Sequence, residues 1–164
     1  LGDAVKWALL IALISLAIYL FATLESRSLY YPDRTMAATP AVMGLAFENV
    51  TLRAADGTSL GAWWIPSKRP DAKVVLLCHG NAGNISHRLQ KAKLLRDIGL
   101  SVFLFDYRGY GTSDGRPTEK GTYLDGEAAY RHLTEERKIP AGHVLLYGES
   151  LGGAVATELA LRHP

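Results

Sequence analysis

Val144-Leu145-Leu146-Tyr147-Gly148-Glu149-Ser150-Leu151-Gly152-Gly153-Ala154-Val155-Ala156 decides how this chain is read. Four apolar residues run into a Gly-x-Ser-x-Gly pentapeptide, Gly148 to Gly152, and small residues follow it. The apolar run predicts a short strand, and the small residues predict a helix that packs closely. In a chain with 16 glycines the pentapeptide alone is a weak signal. Its place between strand and helix makes it specific, because that is the setting of a sharp turn that lifts a serine above a sheet. A Cβ at Gly148 or Gly152 is expected to clash with the neighbouring strand or helix. Ser150 also lies at a helix N-terminus, whose partial positive charge favours a developing oxyanion. The competing reading is a plain Ser N-cap after a glycine turn.

Upstream, the strand–loop–helix pattern repeats. Phe47–Leu52 and Leu60–Pro66 flank an Asp56-Gly57 turn and predict a β-hairpin. Lys73–His79 is a continuous apolar run, as in a strand buried on both faces. A helix follows, with Leu89, Leu94, Leu95 and Ile98 as its expected apolar residues and Gly99 as its stop. Val102–Asp106 and Val144–Tyr147 predict two further buried strands, with a helix over Thr122–Lys138 between them. This order predicts an α/β fold with a mostly parallel sheet and helices on both faces. Ligands in such folds sit at the carboxyl ends of the strands, where the glycine-rich loops fall.

Acyl transfer needs two donors aimed at a tetrahedral oxyanion. One is the N–H of the residue after the nucleophile, here Leu151. The other is expected from the loop His79-Gly80-Asn81-Ala82-Gly83-Asn84, with Asn81 as the choice and Ala82 one position away. An ordinary Asn-Gly turn is the alternative for that loop.

HGNAGN (79–84), DYRGYGTSDG (106–115) and GESLGG (148–153), in that order, resemble the α/β-hydrolase superfamily. They look most like its membrane-anchored bud-emergence-type and depalmitoylase-like members, and the stretch Thr39–Pro66 is similar to that group's entry into the hydrolase domain. The resemblance covers about residues 28–164. It implies Ser150 as nucleophile, Asn81 and Leu151 as the oxyanion hole, and hydrolysis of an ester, thioester or related acyl bond. The family's acid and histidine follow the nucleophile in sequence, and only fourteen residues follow Ser150. They are expected beyond Pro164. His163 is about 20 Å from Ser150 along the same helix. His87 opens a helix and is expected to cap it rather than act as base. His132 falls on a helix face, His143 enters a strand at the far end of the sheet, and His79 is expected to serve loop geometry. Asp106 is expected to bond the turn in the loop that follows it. Gly109-x-Gly111 does not open a helix, since Pro117 intervenes, so a dinucleotide site is not expected. There is no phosphate-binding P-loop and no metal-ligand spacing, so neither cofactor nor metal is expected.

Residues 7–24, WALLIALISLAIYLFATL, carry no charge. As a helix they span about 27 Å at roughly 1.5 Å per residue, close to a bilayer's hydrocarbon thickness. Lys6 precedes the run, and Glu25 and Arg27 follow it. An uncleaved single-pass anchor in the lipid bilayer is the leading reading and a signal peptide the second. The side of the membrane is left open. The expected organisation is an anchor at 1–27, a linker at 28–46 and an incomplete hydrolase domain at 47–164. The chain begins at Leu1 and ends at Pro164 inside a helix, so it is expected to be part of a longer protein, with Val144–Tyr147 left as an apolar sheet edge. With 48% hydrophobic and 21% charged residues, a packed core is expected rather than disorder. A net charge of +2 without clusters argues against nucleic acid as a partner, and one cysteine excludes an internal disulfide. The expected partners are the bilayer and a small-molecule or acylated substrate. A non-catalytic hydrolase-like module and an aminopeptidase-like peptidase are the alternatives.

Overall fold

The computed structural model describes residues 2–164, without the side chains at 22, 23 and 25–28. Leu1 of the expected anchor and the flanking charges of Glu25 and Arg27 lie outside the described residues. The chain forms two compact units, Leu1–Tyr31 and Pro32–Pro164. The first unit is helix α1, Asp3–Leu29. Its stretch Asp3–Phe21 is long and apolar enough to cross a membrane, and none of it is buried. A core helix of a folded domain would bury at least one stripe. The expected run 7–24 lies inside this helix.

The second unit is built on a mixed five-stranded sheet: β1 (Glu48–Arg53), β2 (Ser59–Ile65), β3 (Val74–Cys78), β4 (Ser101–Phe105) and β5 (Val144–Gly148). Their order is β1-β2-β4-β3-β5. β1 and β2 form the expected antiparallel hairpin, with Gly57 at φ 87° in its turn. β2 pairs antiparallel with β4, and β3 pairs parallel with both β4 and β5. The chain leaves β3 for one neighbour through α2 (Leu89–Asp97) and returns to the other through α3 (Glu119–Arg131). That reversal puts a switch point between the carboxyl ends of β3 and β5, where α/β sheets hold their ligands.

Both faces of the sheet are covered, as the α/β reading predicted. Trp63, Ile65, Val75, Leu77, Val102 and Leu104 pack on one side with Leu89 and Ala92 of α2. On the other side α3 packs on α4 (Leu151–Arg162) so closely that a Cβ at Gly126 would lie 2.5 Å from Val155. Trp63 and Trp64 divide between the faces: Trp63 meets Phe47, and Trp64 meets Phe103 and the guanidinium of Arg137.

Several expectations are corrected. Leu94 and Ile98 of α2 are 68% and 72% exposed. They form an i, i+4 pair about 140° and 180° around the helix from Leu89, on the side away from the sheet. Helix α3 starts at Glu119, not Thr122, because the Thr118 hydroxyl accepts the Gly121 N–H and caps it. It gives way to a wider turn over His132–Glu136. Among the described residues β5 is the expected apolar sheet edge, so its run is not buried on both faces: Leu145 and Tyr147 are each 38% exposed. The stretch read as a linker over 28–46 is folded from Pro32 onward. Pro40 and Leu45 are buried. Arg34 donates to the carbonyls of Gly109 and Ser113, and Asn84 donates through Nδ2 to those of Asp33 and Thr35. These bonds reach fifty to eighty residues along the chain, beyond any local period.

Candidate active site

The pairing of Cys78 with Gly148 aligns the ends of β3 and β5. From β5 the chain turns through Glu149 and Ser150 directly into α4. Ser150 holds φ 51° and ψ −115°, a backbone state that costs an L-residue of order 1–3 kcal/mol and persists only where its surroundings impose it. The flanking glycines supply the constraint. A Cβ at Gly148 would lie 2.5 Å from the Gly152 carbonyl oxygen and 2.6 Å from Gly153 Cα. A Cβ at Gly152 would run into the Cys78 carbonyl. Both clashes agree with the sequence reading. Ser150 is not the ordinary N-cap that competed with that reading. Its side chain makes no cap bond, its φ is positive, and it is exposed. Leu151 is the first residue of α4, so its N–H has no intrahelical acceptor. The N–H groups of Gly152 and Gly153 are taken by the Glu149 and Ser150 carbonyls.

The loop after β3 faces this turn. A Cβ on Gly80 would stand 3.4 Å from the Glu149 carbonyl oxygen and 3.7 Å from Ser150 Cβ. A side chain at position 80 would thus touch the Ser150 turn, and Asn81 is the next residue along. The Asn81 side chain is turned to the neighbouring loop, where its Oδ1 accepts from the Tyr110 hydroxyl at 2.8 Å. Below it, His79 is fully buried against the rings of Tyr107 and Tyr110. The Tyr107 hydroxyl donates to the His79 carbonyl at 3.0 Å. Burial holds that phenol well above the usual tyrosine range. Burial also pushes the Cys78 thiol up to about 12, so it stays a neutral core group.

Asp106 does not bond the turn of its own loop as expected. Its Oδ1 accepts the Ile85 N–H at 2.9 Å and lies 3.4 Å from His79 Nε2. The loop is held by other groups: Ser113 Oγ donates to the Asp106 carbonyl, and Arg108 is fixed by Asp125 and Asp56. Arg108 holds the Asp56 carboxyl well below the usual range. His87 acts as the expected cap, its Nδ1 accepting the Asn84 N–H. His132 stacks on Phe103, His163 stacks on Tyr130 and pairs with Glu127, and His143 precedes β5 at the far end of the sheet. A further pair lies at the site's edge. Lys91 of α2 donates to Glu149 at 2.5 Å and sits over the Tyr147 ring. Its bond lowers the Glu149 pKa, and the carboxylate raises that of Lys91. Sequence reading passed over Lys91, Glu149 and Tyr110, because their partners lie 29 to 58 residues away. Cavities of about 370 Å³ beside Trp64 and Arg137 and about 310 Å³ beside Trp63 and Thr112 do not include Ser150.

A serine on a strained strand-to-helix turn, facing a glycine loop from the adjacent strand, defines a hydrolase frame. The model of the alpha/beta hydrolase fold family matches residues 73–164, and the chain belongs to that family. It is 36% identical over 157 residues to the Saccharomyces cerevisiae membrane protein YNL320W, covering 92% of this chain and 55% of that one. It is 34% identical over 146 residues to the Schizosaccharomyces pombe protein bem46, covering 84% of this chain and 49% of that one. This agrees with the bud-emergence-type resemblance. Among solved structures, the Pyrococcus furiosus esterase Pf2001 superposes with a TM-score of 0.67 at 25% identity, over 78% of this chain and 49% of that one. The chain spans about half the length of the curated relatives it matches.

Proposed function

We propose that the protein is a membrane-tethered serine hydrolase that cleaves an ester, thioester or related acyl bond through an acyl-Ser150 intermediate. The observation that carries this reading is the strained, exposed Ser150 beside the Gly80–Asn81 loop. Ser150 Oγ attacks the acyl carbon as a base removes its proton. The carbonyl oxygen becomes an oxyanion between the N–H groups of Leu151 and Asn81, at the positive end of α4. Collapse breaks the bond to the leaving alcohol or thiol, which takes a proton. Water then attacks the acyl-serine, and its second proton restores the Ser150 hydroxyl. Residues 7–24 are the proposed bilayer anchor, and the name of the budding yeast relative supports that part.

The test is active-site labelling of the full-length protein with a fluorophosphonate probe. Labelling at Ser150 that disappears in Ser150→Ala is the expected result. Undiminished labelling of that variant would remove Ser150 from the role. One observation favours a second reading, a hydrolase-like module without turnover: four of the five histidines are engaged elsewhere in the fold, and His143 lies at the far end of the sheet. Residues 1–164 alone would then be inert toward simple esters. Ser150-dependent turnover by that segment would dismiss this second reading.

A further inference from the structure

The peptide joining Gly80 to Asn81 contains both the Gly80 carbonyl and the Asn81 N–H. His79 Nδ1 lies 2.7 Å from that carbonyl oxygen. A carbonyl only accepts, so Nδ1 bears the proton and donates. In a trans peptide the C=O and N–H point in opposite directions. Pinning the oxygen toward the buried His79 ring therefore turns the Asn81 N–H outward. A carbonyl that accepts a hydrogen bond also polarises its own amide and strengthens the N–H as a donor. We infer that His79, seated against Asp106, is a positioning residue that aims and polarises the Gly80–Asn81 peptide as an oxyanion donor. This inference rests on the acyl-serine reading above.

The surroundings of His79 fit an aiming device. Its side chain and that of Asp106 are fully buried, and Nε2 faces Asp106 Oδ1 at 3.4 Å. Asp106 is itself fixed by the Ile85 N–H. Tyr107 and Tyr110 flank the ring with centroids 4.5 Å and 5.4 Å away. Neither His79 Nε2 nor Asp106 Oδ2 has a hydrogen-bond partner. Two charged groups approach from outside. Arg88 reaches the Gly80 carbonyl only at 3.5 Å and bonds the Ala82 carbonyl at 2.6 Å instead. Glu149 is held by Lys91. The Gly80 carbonyl therefore depends on His79 for its close partner.

The test compares His79→Phe and His79→Asn in the full-length protein, using a p-nitrophenyl ester for kcat and KM. Phe keeps the ring and loses the donor. Asn carries an N–H one bond beyond Cγ, near the place of Nδ1. Removing a whole oxyanion donor costs about 100- to 1,000-fold in kcat. Misaiming one should cost less, about 10- to 100-fold for His79→Phe, with KM within about threefold. His79→Asn should recover at least half of that loss on a logarithmic scale. Wild-type kcat in folded His79→Phe, or equal losses in both variants, overturns the inference. If His79→Phe fails to fold, the ¹⁵N spectrum of the wild-type imidazole decides: a protonated Nδ1 supports it and a bare Nδ1 overturns it. Wild-type protein that no fluorophosphonate labels at Ser150 overturns the acyl-serine reading, and this inference with it. Labelled wild type with unaffected His79→Phe overturns this inference alone.

Discussion

β3 and β5 lie side by side, run parallel and end on the two halves of the site. Both read as short apolar runs. Yet every residue of Val74–Cys78 is at most 3% exposed, while Leu145 and Tyr147 of β5 are each 38% exposed. The difference is one of neighbours. Among the described residues, β3 has a strand on each side and helices over both faces, and β5 is paired on one side only. The site uses the two strands differently. β3 supplies a buried base for the glycine loop that follows it, and β5 supplies the direction of a turn whose sharpness comes from glycine contacts. An apolar run thus marks a strand without stating how deeply it is set.

The sharpest way to break the pair is where the start of α4 presses on the end of β3. In Gly152→Ala the new methyl meets the Cys78 carbonyl, which belongs to β3 and cannot move without the sheet. Overpacking usually costs 1–3 kcal/mol. Here backbone meets backbone, so the expected loss is more than about 3 kcal/mol, with fluorophosphonate labelling gone. Gly153, the next residue, has open space for a Cβ. Gly153→Ala should gain about 0.5–1 kcal/mol of helix stability. Urea unfolding of the two variants checks both signs, and a destabilised Gly153→Ala would contradict the contact geometry.

Truncating the strands themselves should separate them next. Leu77→Ala in β3 empties a fully buried position and should cost about 3 kcal/mol, within the usual 2–5. Leu145→Ala in β5 removes a partly exposed side chain and should cost less than about 1 kcal/mol. Equal costs would mean that β5 is covered in solution. Smaller again is the strain at the elbow. Ser150→Gly removes the Cβ from a φ 51° position and should raise stability by about 1 kcal/mol while abolishing labelling. A serine held there without strain would give a loss instead.

The elbow and the glycine loop were legible because each is a contiguous motif whose residue types are dictated by local space. Gly148, Gly152 and Ser150 lie within five residues, and Gly80 stands next to Asn81. The hairpin and the strand–helix alternation were legible for the same local reason. His79 with Asp106, Lys91 with Glu149 and Arg34 with Ser113 were not, since each pairing depends on which strand ends the crossovers bring together. Thr118 could have been found: a threonine followed by Glu119 in the first helical turn is a start signal. The exposure of Leu94 and Ile98 was also within reach, because helical angles separate them from Leu89.

The faintest expected effect lies in the bridge that ties the two halves from outside. Lys91 stands on the helix that follows the β3 loop, and Glu149 stands inside the β5 elbow. Their side chains are about one-third exposed, so water screens them, and exposed pairs contribute about 0.2–1 kcal/mol. Glu149→Gln should cost under about 0.5 kcal/mol at pH 7. The Lys91 bond lowers the folded pKa of Glu149 below its usual 4.5. Its contribution is therefore present above pH 4.5 and fades as the pH falls through the lowered folded value. Lys91 is raised above its usual 10.5, so its share holds below 10.5 and is lost only as the pH rises through the folded value. Unfolding curves of wild type and Glu149→Gln should differ slightly at pH 7 and converge well below pH 4.5. A gap that persists there would assign the effect to hydrogen bonding by the neutral head group rather than to its charge.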